Sequence, residues 1–126
     1  MILATLVRMS ATDEGSAIEV DPERVAEWLA EDRAVQVIDV REPHEREAGH
    51  IDGTLHIQLV ELSSAAASVE RERPVVFYCR SGARSAMATA AFRNAGFDAH
   101  NMAGGLLDWQ AADLPLEPAD GYVADS

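Results

Sequence analysis

The sequence predicts an α/β fold in which a parallel sheet is flanked by helices. The short apolar run Val75–Tyr78 is typical of a strand that is covered on both faces, as strands of parallel sheets are. Apolar residues recur at helical spacing directly after it, which indicates a helix that begins near Arg84 and ends near Ala95. Short strands and helices alternate along the rest of the chain, and such alternation is typical of strands that run parallel.

The first half of the chain is predicted to hold two strands separated by a helix. The first strand covers Ile18–Val20. The next helix has Asp21 as its N-cap and Pro22 as its first residue, because these residue types favour those positions. It is predicted to end near Asp32, and the second strand follows over Val35–Val40.

The second half of the chain continues this alternation. Proline and glycine mark several of its boundaries, since proline is tolerated at the start of a helix and glycine commonly ends one. The remaining predicted elements are a short helix after Pro43 that Gly49 closes, a helix over Leu59–Val69, the strand Val75–Tyr78 with its helix, a strand over Asp98–Met102 and a helix over Leu106–Ala112.

The length of 126 residues suits one domain with a single core. Polar residues dominate the end of the 1–16 stretch, so we expect a flexible N-terminal segment there. Residues 117–126 have the composition of a polar C-terminal tail. The folded unit is therefore predicted over residues 17–116.

The net charge of −12 argues against a nucleic-acid partner, because a polyanion would meet a repulsive field. No apolar stretch approaches the ~20 residues of a membrane span, so no membrane partner is expected. The first residues also lack the basic region and cleavage site of a signal peptide. A single cysteine is compatible with a reducing compartment. We therefore expect a cytoplasmic protein.

That cysteine, Cys79, stands between the apolar strand and its helix. Backbone N–H groups at the start of a helix stabilise an anion, and neighbouring arginines lower the pKa of a thiol. Cys79 is therefore predicted to be a nucleophilic thiolate. A buried apolar cysteine is the alternative, which the polar residues after it disfavour. The rest of the loop is the predicted binding site for the reacting group: Arg80, Ser81, Gly82, Ala83, Arg84 and Ser85.

Asp39 and Arg41 form a second candidate group. Asp39 lies near the end of its strand and Cys79 directly follows another, and ligands of open α/β sheets bind beyond these carboxyl ends. The two charged residues could orient each other and the cysteine loop through charge-assisted hydrogen bonds. An ion pair that only holds a loop is the alternative. Neither residue is predicted to be a nucleophile or a base.

The four histidines do not form a metal-ligand pattern. His44, His50 and His56 are six residues apart, a spacing that shares one face of neither a helix nor a strand. No metal and no cofactor are predicted. His50 is expected to make a structural hydrogen bond. The pair Gly104-Gly105 is expected to form a tight turn into a packed helix, with a direct substrate role for Trp109 as the alternative.

Four segments stand out along the chain, at residues 37–42, 49–53, 79–85 and 104–109. With these segments in this order, the sequence resembles the rhodanese-type sulfurtransferase domain over about residues 18–116. The resemblance implies a sheet of about five parallel strands with helices on both faces. It also implies that Cys79 carries a persulfide, that loop amides hold the outer sulfur, and that thiosulfate is a typical donor. The sequence departs from the family at His56-Ile57-Gln58, where Asn-Ile-Pro is usual, and it has no second such domain.

The predicted function is transfer of a sulfane sulfur from thiosulfate or a related donor to cyanide or a thiol, which a partner protein could also supply. A cysteine-dependent phosphatase or arsenate reductase is one alternative. Enzymes of that kind have five residues between the cysteine and the arginine of their loop, whereas four residues separate Cys79 from Arg84. A smaller loop fits a lone sulfur better than a tetrahedral oxyanion. The other alternative is a non-enzymatic persulfide carrier or docking module, which would use the same residues.

Overall fold

The computed structural model describes residues 17–31 and 34–125. The predicted N-terminal segment and the predicted helix end near Asp32 lie outside these residues. Within them the chain forms five strands: β1 Glu19–Val20, β2 Gln36–Asp39, β3 Leu55–His56, β4 Val75–Tyr78 and β5 Ala99–Met102. These form a single sheet, all paired in parallel, in the order β1-β5-β4-β2-β3. This confirms the predicted fold class.

The helices follow the strands as predicted, with one difference in the middle of the chain. The predicted helix over Leu59–Val69 is broken into three short pieces, of which only the central four residues are α-helical. Two serine hydroxyls, of Ser64 and Ser68, donate to carbonyl oxygens three residues earlier, a local bond that competes with helix continuation. The α-helices are α1 Pro22–Ala30, α2 Pro43–Ala48, α3 Leu62–Ala65, α4 Ala83–Asn94 and α5 Gly105–Ala111.

Helices cover both faces of the sheet, as expected. Side chains of β4 alternate between two apolar clusters: Phe77 packs with Phe92 of α4, and Val76 belongs to the cluster that contains Trp28 of α1 and Trp109 of α5. The Phe77 and Phe92 rings meet edge to face at 4.9 Å between centroids. A strand buried on both faces needs apolar residues at every position, which explains the unbroken apolar run of β4.

The short strand β3 has no counterpart among the elements predicted from the sequence. It has two residues, which pair with the end of β2, and Leu55 is exposed at the edge of the sheet. Two residues are too few to display strand periodicity. The pairing nevertheless matters for the candidate site, because it brings the chain after β3 to the carboxyl end of β2, where the Ile57 N–H donates to the carbonyl of Asp39.

The chain after α5 returns to α2. The Trp109 indole N–H donates to the carbonyl of Pro115 at 2.9 Å, so this side chain has a packing role in the structure. Glu117 and His50 then exchange two backbone hydrogen bonds, and the Tyr122 N–H donates to the carbonyl of Ala48. Among the described residues, no helix is long and apolar enough to cross a membrane.

Candidate active site

The cysteine loop, defined here as Cys79–Ser85, begins directly after β4 and ends in the first turn of α4. Cys79 is only 1% exposed. Gly82 caps α4 with φ of +104°, a backbone conformation that glycine adopts without steric cost. The loop therefore turns sharply enough for its own N–H groups to face the cysteine sulfur.

Three hydrogen-bond donors converge on the sulfur of Cys79. The N–H of Gly82 lies 3.1 Å from Sγ, the N–H of Ser85 lies 3.4 Å away and the Ser85 hydroxyl 3.3 Å away. Burial by itself raises the pKa of the Cys79 thiol, but these bonds and the Ser81 N–H outweigh it and lower that pKa overall. The thiolate is the nucleophilic form of cysteine, so the loop favours a reactive sulfur.

Replacing Ser85 with alanine is expected to raise the pKa of Cys79, because the thiolate loses its hydroxyl donor. The pH profile of alkylation by iodoacetamide should move to higher pH, with several-fold slower reaction at neutral pH. Ser81→Ala is the matched control, since the Ser81 side chain is exposed and its N–H is retained. Identical profiles for both variants would show that the Ser85 hydroxyl does not support the thiolate.

The start of α5 packs against the backbone of the cysteine loop and donates two hydrogen bonds to it. The N–H of Leu106 donates to the carbonyl of Cys79 at 2.9 Å, and the N–H of Leu107 donates to the carbonyl of Arg80 at 3.0 Å. A Cβ on Gly105 would lie 2.5 Å from the carbonyl oxygen of Arg80 and 2.7 Å from that of Cys79. The glycine pair thus does more than form a turn, because it lets a helix end approach the loop backbone.

Gly105→Ala is expected to destabilise the protein by about 2–4 kcal/mol, because the new methyl group collides with the loop backbone at a position with φ of +60°. Gly53→Ala is the matched control: Gly53 has φ of +81°, but beyond its chain neighbours no atom lies within 4 Å of the point that a Cβ would occupy. That variant should lose only about 1–2 kcal/mol. Chemical denaturation of both proteins measures the difference, and equal losses would refute the collision.

Asp39 and Arg41 lie at the end of β2, and both side chains are fully buried. Nε and Nη2 of Arg41 donate to the two carboxylate oxygens of Asp39, each at 2.8 Å. Nη2 also donates to the carbonyl of Gly49, and Arg46 reaches the same carboxylate at 3.4 Å. Burial alone would lower the pKa of Arg41, but the bonds to Asp39 raise it. The pair therefore fixes the end of α2 beside the loop.

The two loop arginines have different surroundings. Both terminal nitrogens of Arg84 donate to the Glu45 carboxylate, at 2.8 and 2.9 Å, and the Glu45 side chain is fully buried. Within the described part of the chain, Arg80 pairs with Asp125 at 3.4 Å, and the Asp125 side chain is 98% exposed. The partner of Arg84 is thus buried inside the fold, whereas the partner of Arg80 is exposed to solvent.

Two residues that support the loop, Glu45 and Asn101, were not predicted from the sequence. Glu45 is the third residue of α2, and its carboxylate accepts the N–H of Glu42 at 3.0 Å. The sequence could have indicated this reciprocal capping pattern, and with it an ordered Glu45 side chain. It did not indicate that Glu45 would pair with Arg84. Asn101 on β5 donates from Nδ2 to the carbonyl of Gly82 at 3.2 Å and to the Glu19 carboxylate. It holds the turn that presents the Gly82 N–H, and no local pattern indicated it.

The histidines bond to backbone carbonyls. Nδ1 of His50 lies 3.1 Å from the carbonyl of Arg46, and Nε2 of His56 lies 2.7 Å from that of Arg41. His56 thereby ties the segment after β3 to the end of β2. Within residues 17–31 and 34–125, no group of three or more histidine, cysteine or acidic side chains is placed to hold a metal ion.

Comparison with known proteins agrees with this architecture. The family described as "Rhodanese-like domain" matches residues 21–112. The chain is 36% identical over 107 residues to the probable adenylyltransferase/sulfurtransferase MoeZ of Mycobacterium tuberculosis, of which it spans 27%, and the match covers 82% of the chain. It is 33% identical over 103 residues to the thiosulfate sulfurtransferase GlpE of Pseudomonas aeruginosa, covering 81% of the chain and 91% of that protein.

A solved structure shows the same fold. The rhodanese-related protein of Thermoplasma volcanium superimposes with a TM-score of 0.72 at 28% identity, over 78% of this chain and 95% of that one. The parallel five-strand sheet with its flanking helices therefore matches the fold of that protein.

Proposed function

Because the chain belongs to the rhodanese-like domain family and has sulfurtransferase relatives, we propose that it transfers a sulfane sulfur through a persulfide on Cys79. The proposed donor is thiosulfate or a related compound, and the acceptor is cyanide or a thiol. The observation that carries the proposal is the convergence of three hydrogen-bond donors on the Cys79 sulfur. The name of the Pseudomonas aeruginosa relative supports thiosulfate as the donor.

The first proposed step loads the cysteine. The Cys79 thiolate attacks the outer sulfur of thiosulfate and forms a new S–S bond, while the old S–S bond breaks and its electron pair leaves with sulfite. No proton is needed, because sulfite leaves as an anion. The lowered pKa of Cys79 supports this step, since it increases the fraction of thiolate at a given pH.

The second proposed step returns the free cysteine. Cyanide or an acceptor thiolate attacks the outer sulfur, the S–S bond to Sγ breaks, and its electron pair stays on Cys79 as the thiolate. Backbone N–H groups of residues 80–85 stabilise the outer sulfur between the two steps. Arg80, whose ion-pair partner Asp125 is solvent-exposed, supplies positive charge for an anionic donor. A lone cysteine suffices for this cycle, and a cytoplasmic location is part of the proposal because a reducing compartment keeps that thiol free.

The test is the intact mass of the reduced protein before and after incubation with thiosulfate. A gain of one sulfur atom that cyanide then removes, with thiocyanate as product, is expected. Hydrolysis of p-nitrophenyl phosphate without any sulfur gain would favour the phosphatase alternative. A stable gain that cyanide does not discharge, but a partner protein does, would favour the carrier alternative.

A further inference from the structure

We propose that Glu45 is a positioning residue for the reaction at Cys79: it clamps Arg84 and thereby holds the cysteine loop in its hydrogen-bonding geometry. This assignment rests on the function proposed above, in which the loop N–H groups support the thiolate and the persulfide. Glu45 contacts neither the sulfur of Cys79 nor, in the proposed reaction, the substrate.

The contact between Glu45 and Arg84 joins two separate parts of the chain. Oε1 and Oε2 of Glu45 accept hydrogen bonds from Nη1 and Nη2 of Arg84 at 2.8 and 2.9 Å, across 39 residues of sequence. Two parallel bonds fix both the distance and the orientation of the planar guanidinium group. A bidentate pair therefore constrains Arg84 more tightly than a single charge contact would.

Glu45 is itself held firmly. Its Oε1 also accepts the backbone N–H of Glu42. The helix that carries it, α2, is tied to the sheet at its C-terminal end by the bond from Arg41 to the carbonyl of Gly49. Arg46, the next residue along α2, donates to the carbonyl of Thr54 at 2.7 Å. The clamp therefore connects the cysteine loop to a fixed point of the fold.

Arg84 lies at the place in the loop where such a clamp acts on the sulfur. It is the second residue of α4, between Gly82 and Ser85, which supply the three donors to Sγ. Hydrogen bonds weaken steeply when donor and acceptor lose alignment. Displacement of Arg84 would move both neighbours, so the clamp protects all three bonds at once.

The charges around the loop agree with this role. Burial would raise the pKa of Glu45, but the bonds from Arg84 and the Glu42 N–H lower it, and Glu45 raises the pKa of Arg84. Both groups are therefore charged at neutral pH and match each other. Further charged side chains around the loop include Arg80, the Asp39–Arg41 pair at the end of β2, and Glu19, which accepts hydrogen bonds from Asn101.

The test uses three variants: Glu45→Gln, Arg84→Met and the double variant. Two quantities are measured for each variant. One is the pH profile of Cys79 alkylation by iodoacetamide, and the other is kcat/KM for sulfur transfer from thiosulfate to cyanide. Each single variant should move the alkylation profile to higher pH and lower kcat/KM by roughly 10- to 100-fold. The double variant should be no worse than the worse single one, because the two residues act as a unit.

Three results would overturn the proposal. An unchanged alkylation profile and unchanged kcat/KM with only a lower melting temperature would mean that the pair serves stability alone. A shift of the Glu45→Gln profile to lower pH would mean that Glu45 instead weakens the effect of Arg84's charge on the thiolate. Effects that multiply in the double variant would mean that Arg84 acts independently of Glu45.

Controls keep these outcomes interpretable. Glu70→Gln breaks an exposed ion pair with Arg73, which precedes β4 and so lies at the opposite end of that strand from the cysteine loop, and it should change neither quantity. Arg84→Lys, which keeps the charge but cannot make the bidentate contact, should be intermediate and serves where Arg84→Met does not fold. Alkylation needs no sulfur donor. If the wild-type protein gained no sulfur from thiosulfate, the proposed function would fail, while the alkylation profiles would still decide the role of Glu45.

Discussion

Replacing Cys79 with serine is expected to abolish sulfur loading and to lower sulfur transfer by about a thousand-fold or more. Serine preserves the shape of the side chain and can accept the hydrogen bonds from Gly82 and Ser85. Its hydroxyl is not ionised near neutral pH, however, and nothing in the loop would remove its proton. The measurement is thiocyanate formation from thiosulfate and cyanide, together with the intact mass after incubation with thiosulfate.

The Cys79→Ser variant should fold as the wild-type protein does, because the replacement is nearly isosteric at a site that is 1% exposed. Circular dichroism and the melting temperature provide that control. Turnover retained by a folded Cys79→Ser protein would rule out a covalent intermediate on this residue and with it the proposed cycle.

Replacing Asp39 with alanine is expected to destabilise the fold by about 3–5 kcal/mol, because Arg41 would remain as a buried cation without its main partner. At about 4 °C for each kcal/mol in a chain of this size, the melting temperature should fall by about 12 °C or more. The loss should extend to the site, since Arg41 anchors the carbonyl of Gly49 at the end of α2. Thermal and chemical denaturation measure the change.

Glu70→Ala is the matched control for the loss of an acidic partner. It removes the partner of Arg73 in an ion pair whose side chains are 57% and 36% exposed, and exposed pairs contribute less than about 1 kcal/mol. The double variant Asp39→Ala, Arg41→Met should recover part of the stability that Asp39→Ala loses, because it removes the unpaired charge. Similar small losses in the Asp39 and Glu70 variants would contradict the importance of burial for this pair.

Local chemistry allowed the central part of the site to be predicted. The apolar run of β4, the cysteine directly after it and the helix at α4 are short-range features, and the structure has all three in the predicted order. The placement of Asp39 and Cys79 at the same edge of the sheet was also predictable, because each stands at the carboxyl end of a strand and β2 and β4 are parallel neighbours.

Contacts between distant segments were not predictable in the same way. The partner of Arg84 is 39 residues away, and the residue that holds the Gly82 carbonyl is Asn101, 19 residues away. No periodicity or turn pattern encodes such a pairing, which depends on where α2 and β5 lie relative to the loop. The same applies to β3, whose two residues gain their strand conformation from pairing with β2.

By itself, the sequence determined the α/β class, the position of the nucleophile and the loop that surrounds it, because these depend on residues within a few positions of one another. Only the tertiary structure decided which charges meet. It paired Arg84 with the buried Glu45 and left Arg80 beside an exposed carboxylate. It also placed the start of α5 against the backbone of the cysteine loop. The physical reason is that a buried charge requires a partner at contact distance, and the order of the strands in the sheet decides which residue that is.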